Sequence, residues 1–210
     1  MSLAEPATTL TDYLLAVVGF ALGYRILRNA EGHLSRRLWA ASLLATGAAA
    51  LAGGTSHGFA PRLHAETLTA LWRATYGFIG VANLLILAAA AFASFRAVWR
   101  PWVVALLVLR LATYAAIVLP NRQFRFVVLD YAFTLAVLLA FAVHSRRRGR
   151  PGGGWIGAGV LVSLAGAAVQ HGRLAPHPAF NHNDLFHVIQ TLGLWLFYAG
   201  GRTLADQRSE

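Results

Sequence analysis

Cysteine is absent from this 210-residue chain, and so is lysine. Without cysteine there are neither disulfides nor thiolate metal ligands, so any metal must be held by His, Asp, Glu or backbone groups. Without lysine there is no amine for a retinal Schiff base. Charge is scarce as well. Charged residues make up 12% of the chain, well below the ~25% of a soluble domain. No internal repeat and no separate soluble domain can be drawn. Apolar residues dominate instead, at 57%. The formal charge of +10 comes from arginine alone among the basic residues. These arginines sit mostly between apolar runs, where they set topology and meet anionic lipid, so the basic balance is no nucleic-acid signature. The first ten residues carry Glu5 and no basic cluster, which does not read as a secretory signal.

Seven apolar segments stand out, at residues 10–27, 38–57, 66–92, 101–119, 126–144, 155–171 and 184–200. Each is about long enough for a hydrocarbon core of ~30 Å. Pro6, Pro61, Pro101, Pro120, Pro151, Pro176 and Pro178 fall at or between segment ends, where a missing N–H costs least. Asn183 is a candidate cap for the last helix, with Asp184 favoured by the helix dipole. Arg25, Arg28, Arg36 and Arg37 flank the first loop, Arg96 and Arg100 the third. Arg146, Arg147, Arg148 and Arg150 fill the fifth, and Arg202 and Arg208 follow the last segment. The alternate loops hold only Arg62, Arg122, Arg125 and Arg173. This bias puts the N-terminus outside and the C-terminus in the cytoplasm. The expected fold is all-α: one polytopic domain over residues 1–210, with seven transmembrane helices, multi-pass in the plasma (inner) membrane. Trp39, Trp99, Trp102 and Trp155 fall near the cytoplasmic ends and read as an aromatic belt. Ala and Gly are abundant over residues 47–54 and 157–166, and such small residues let helices approach closely.

In this topology the titratable groups collect at the outer end. His57 ends the second segment and His171 the sixth; Asp12 opens the first and Glu66 the third. The seventh opens with Asn181-His182-Asn183-Asp184-Leu185-Phe186-His187. Ionisable groups at membrane depth are expensive, need partners and often mark a site. His187 lies a full turn inside its segment, which interface chemistry does not explain. His57 taken alone is an ordinary interfacial residue, His182 a loop residue and Asp184 a helix-dipole partner. Asp184 and His187, three apart, share a helix face; His182, five before His187, shares it only if the helix starts later or unwinds there. Arg73, Arg110 and Asp130 are candidates for buried ion pairs, and Asn83, Tyr76 and Tyr114 for interhelical hydrogen bonds.

Seven spans, the Ser56-His57 pair near the outer end of the second and the His-containing motif opening the seventh resemble the CREST membrane hydrolases. That group includes alkaline ceramidases and the adiponectin and progestin receptors. The resemblance implies a zinc ion at the N-terminal side of the membrane, held by three histidines. His57 resembles the second-span ligand, and His182 and His187 the seventh-span pair, although they are five apart where the family has four. The third ligand is therefore His182 or Asp184. Glu66 stands where a third-span Asp would be, and Ser56 adjoins His57, with Gly53 at the family's serine position.

Three protein ligands leave a fourth position for water, whose pKa the metal lowers toward ~7. The implied activity is hydrolysis of an amide or ester bond in a membrane lipid. Ser56 or Thr55 would help polarise the carbonyl, and Asp184 or Glu66 would move the proton. Two readings from other classes stand beside it. His57 with His171 or His187 could ligate haem from facing helices. Alternatively the chain is a non-catalytic seven-helix receptor or lipid-binding protein, whose polar groups only hold the bundle together.

Overall fold

A chain this apolar must satisfy its backbone hydrogen bonds internally, and the helix is the local solution. The computed structural model describes residues 3–121 and 123–207; Arg122 and Arg208, used above for orientation, lie outside them. Among the described residues it contains seven α-helices and no strand. These are α1 (Pro6–Arg28), α2 (Leu34–Phe59), α3 (Ala65–Ser94), α4 (Arg100–Asn121), α5 (Phe124–Arg147), α6 (Gly153–His171) and α7 (His182–Gly201). They match the seven apolar segments, mostly extended by a few residues at each end.

Six of the helices, α1 to α6, are long and apolar enough to cross a membrane. The seventh, α7, is not among them: its first three turns carry His182, Asn183, Asp184, His187, Gln190 and Thr191. Beside them, Val188, Leu192 and Trp195 form an exposed apolar stripe on the outer face of α7. The helix packs between α1 and α6.

The helices form a ring. α1 packs on α2 and α7, α7 on α6, α6 on α5, α5 on α3, and α3 on α2. α4 lies outside, against α3 and α5, and exposes Trp102, Leu106, Val108 and Leu109. The α1–α2 contact depends on glycine. A Cβ on Gly19 would stand 3.1 Å from the Cα of Gly47, and one on Gly23 would stand 2.9 Å from the carbonyl oxygen of Ala40. Such close backbone approach is how helices gain van der Waals contact where lipid supplies little hydrophobic drive.

Polar groups between α3, α4 and α5 are paired across helices. Tyr114 donates its hydroxyl to the Tyr76 carbonyl at 2.8 Å, and Asn83 donates to Asp130 at 2.7 Å. Arg110 forms an ion pair with Asp130 at 2.5 Å. Arg73 does not join it; Arg73 is exposed beside Glu66 along a shallow groove on α3. Trp39 also departs from expectation. It is fully buried and donates its indole N–H to the Phe197 carbonyl at 3.0 Å. It is core, whereas Trp99, Trp102 and Trp155 are exposed as a belt requires. Trp39 lies one turn inside α2 on the face that meets α7, and only the ring closure reveals that face.

The segment after α7 folds back under the ring. Asp206 accepts hydrogen bonds from the backbone N–H of Leu34 and of Ser35, both at 2.8 Å. It therefore caps α2 from the far end of the chain. Arg36 donates to the Leu204 carbonyl at 2.6 Å, and the Gln207 N–H donates to the Phe92 carbonyl at 3.0 Å.

Candidate functional site

The N-terminal ends of α1 and α7 and the C-terminal end of α2 meet at one end of the ring. The local sequence explains how α7 starts there. Asn181, not Asn183, is its cap: the Asn181 side chain accepts from the N–H of Asn183 at 2.7 Å and of Asp184 at 3.4 Å. Asp184 reciprocates by accepting from the Asn181 N–H at 2.7 Å, which completes a capping box. Its other oxygen accepts from the Thr8 hydroxyl at 2.7 Å. Asp184 is wholly buried, with both oxygens engaged in holding α7 to α1. Asn183 instead accepts from Gln170 of α6 at 2.7 Å.

Because the helix begins at His182, the five-residue spacing puts His182 and His187 on different faces, roughly 140° apart. His187 turns toward α1. Its Nε2 lies 3.3 Å from Oδ1 of Asp12, and its Nδ1 lies 3.2 Å from Oγ1 of Thr11. Asp12 is 4% exposed. His57 lies in the last turn of α2, at the same end of the ring. Its Nδ1 lies 3.2 Å from Oε2 of Glu5, and its ring meets the edge of Trp72 with centroids 5.2 Å apart. One end of the ring thus holds two pairs, His187 with Asp12 and His57 with Glu5. Small residues make room for Asp12: a Cβ on Gly53 would stand 3.8 Å from Oδ2 of Asp12, and one on Gly54 would stand 2.7 Å from the Asp12 Cβ.

The other predicted residues stand apart. Ser56 is buried and donates its hydroxyl back to the Ala52 carbonyl at 3.0 Å. Thr55 lies 3.1 Å from the Tyr13 hydroxyl. Glu66 is exposed on the α3 groove with Arg73, and none of its described contacts reaches His57 or His187. No described contact joins His182 to His57 or His187. Asp12, expected at the same end as His57 and His187 but given no role, is the residue that meets His187. Its signal was a carboxylate inside an apolar run. Gln190, one turn further into α7, belongs to a separate network, accepting from Ser163 at 3.2 Å and Tyr131 at 3.3 Å.

Two imidazoles and a carboxylate make a donor set that zinc takes in catalytic sites. Two ligands of one tetrahedral zinc, each about 2.0–2.1 Å from it, sit roughly 3.3–3.4 Å apart. The 3.3 Å between His187 Nε2 and Asp12 Oδ1 has that length. Among the described residues, however, no group of three or more His, Cys, Asp or Glu is gathered closely enough to hold a metal ion. This end of the ring therefore offers one ready pair of donors, with His57 in the last turn of α2.

A family of unknown function, DUF6962, matches residues 7–206, and the chain belongs to it. No curated protein and no solved structure matches it.

Proposed function

We propose that this protein is a metal-dependent membrane hydrolase that cleaves an amide or ester bond of a lipid. Its centre is the Asp12–His57–His187 cluster, in a seven-span bundle with the N-terminus outside. The observation that carries this reading is how the two imidazoles are held. The Nδ1 side of each is already occupied, by Thr11 for His187 and by Glu5 for His57. Metal-ligating histidines commonly donate their second N–H to such a partner, which fixes ring and tautomer.

Thr11 strengthens the point. Its hydroxyl has the Ala7 carbonyl at 3.0 Å and the Thr8 carbonyl at 3.1 Å to donate to. It therefore meets His187 as an acceptor, and the ring proton belongs on Nδ1. The Nε2 lone pair then faces a carboxylate oxygen at 3.3 Å. Two acceptors at that distance require a positive charge between them, a proton or a metal ion. The resemblance to the CREST hydrolases supports the metal.

Asp12, His57 and His187 would hold the ion, with Asp12 in the place that resemblance gives to a third histidine. Zinc so bound supplies hydroxide at neutral pH, because it lowers the pKa of its water to ~7. Asp12 and His187 come from α1 and α7, which the Thr8–Asp184 hydrogen bond ties together. Glu5, 45% exposed at the rim, orients His57.

Metal content tests the proposal. The protein is purified without chelator, loaded with zinc and desalted, then measured by mass spectrometry beside Asp12→Asn, His57→Ala, His187→Ala and His182→Ala. Stoichiometric zinc in the wild type, lost in the first three variants and kept in the fourth, is the expected result. A panel of long-chain lipid amides and esters then defines the substrate. A wild type that retains no metal overturns the proposal and leaves a proton-bridged lock between α1 and α7.

A further inference from the structure

The opposite, arginine-rich end of the bundle holds a cavity of about 690 Å³, lined by Arg96, Phe141, Ser145, Arg150, Thr203 and Asp206 among others. Its volume lies within the ~300–1,000 Å³ range of small-molecule sites. Three features of the lining point to an anion. Arg150 reaches across the wall, donating to the Ala93 carbonyl at 2.7 Å and to Oε1 of Gln207 at 2.5 Å. Both partners are neutral, so its charge is not balanced by them. The carboxylate in the lining, Asp206, is turned to the N–H groups of Leu34 and Ser35. Finally, Ser145 is 3% exposed and its hydroxyl has no hydrogen-bond partner among the described residues. A buried, unpaired hydroxyl costs about 1–3 kcal/mol, so one on a cavity wall marks a missing partner.

The surroundings place this cavity at headgroup depth. Arg146, Arg147 and Arg148 are exposed just after Ser145. The α3–α4 connection, which carries Arg96, exposes Phe95 at 46% and Trp99 at 56%. Aromatic residues concentrate at the membrane–water interface, and juxtamembrane basic clusters attract anionic headgroups.

We infer that this cavity binds a phosphate anion, the headgroup of an anionic phospholipid or a free phosphate, through Arg96, Arg150 and Ser145. The ligand also seals the C-terminal segment, because Thr203, Asp206 and Gln207 line the same space. Binding then stabilises the folded bundle, since a ligand of the native state raises its unfolding midpoint.

The test is thermal unfolding of the full-length protein in neutral detergent, followed by tryptophan fluorescence. The probes are short-chain phosphatidylglycerol, phosphatidylcholine with the same chains, and sodium phosphate at matched ionic strength. Phosphatidylglycerol is expected to raise the midpoint dose-dependently and phosphatidylcholine to leave it unmoved. An equal shift with sodium phosphate assigns the site to free phosphate; a shift with the lipid alone assigns it to the headgroup. Ser145→Ala and Arg96→Gln each weaken the apparent affinity on the order of tenfold, the loss of one hydrogen bond to a charged group. Exposed Arg146→Gln leaves it unchanged. Ser145→Ala removes a single unpaired atom, so without ligand it is at least as stable as the wild type and keeps the test readable. No shift with either phosphate probe, or a shift that survives both cavity variants, overturns the inference.

Discussion

Thr11→Val tests the reasoning about the cluster more sharply than loss of a ligand does. Valine keeps the shape and branching of threonine but removes the oxygen 3.2 Å from His187 Nδ1. If Thr11 accepts the Nδ1 proton, valine leaves that N–H without a partner in a buried site and frees the ring to change tautomer or turn. Loss of such an outer partner costs about 10–100-fold in metal affinity, which is ~1.4–2.7 kcal/mol. The assay is zinc competition against a fluorescent chelator on detergent-solubilised protein. Two controls separate this effect from a general one. Thr11→Ser restores the acceptor and should bind like the wild type. Thr46→Val removes a comparable threonine whose hydroxyl donates to the Ser42 carbonyl at 3.0 Å with no histidine beside it; it should leave affinity unchanged. Thr11→Val indistinguishable from wild type would refute the tautomer assignment and, with it, the lone-pair reasoning for a metal between His187 and Asp12.

The remaining predictions concern stability. Asp206 caps α2 from the C-terminal segment. Burial pushes its carboxyl up, but hydrogen bonds from Ser35 and Leu34, with His33 nearby, outweigh it and hold the carboxyl below its ordinary range. A depressed folded value means the stabilisation is present above the unfolded pKa of ~3.9 and is lost as pH falls through the folded value. Asp206→Ala should therefore cost about 1 kcal/mol at neutral pH, and the gap from wild type should close in acid, as read by denaturation at a series of pH values. At the Arg110–Asp130 pair, Asp130→Asn should destabilise by ~1.5–3 kcal/mol by weakening a charge-assisted hydrogen bond and leaving a partly buried guanidinium uncompensated. Combining it with Arg110→Leu should recover much of the loss in a double-mutant cycle; additive losses would show that the two do not act as a pair.

The amino-acid sequence by itself determined the fold class, the segments and their breaks. Apolar runs of this length, broken by proline, glycine and arginine, have no other way to satisfy their backbones than as helices. It also marked the polar opening of α7 and the His57 end of α2, because such residues are too costly in an apolar run to be incidental. It pointed to Asn83 and Tyr114 as interhelical partners for the same reason, and both are.

What it left open depended on rotation and on which helices are neighbours. Helix α7 starts at His182, two residues before its apolar segment, and that offset turns His182 away from His187. Trp39 reads as interface until α7 closes over it. Asp12 became a site residue only because α1 packs against α7, a contact between segments about 170 residues apart. Asp206 reaches α2 across a similar separation. Hydropathy is a property of each segment alone, whereas the pairing of His187 with Asp12 exists only in the contact between two of them. The sequence supplied the donors; the tertiary structure chose which of them face one another.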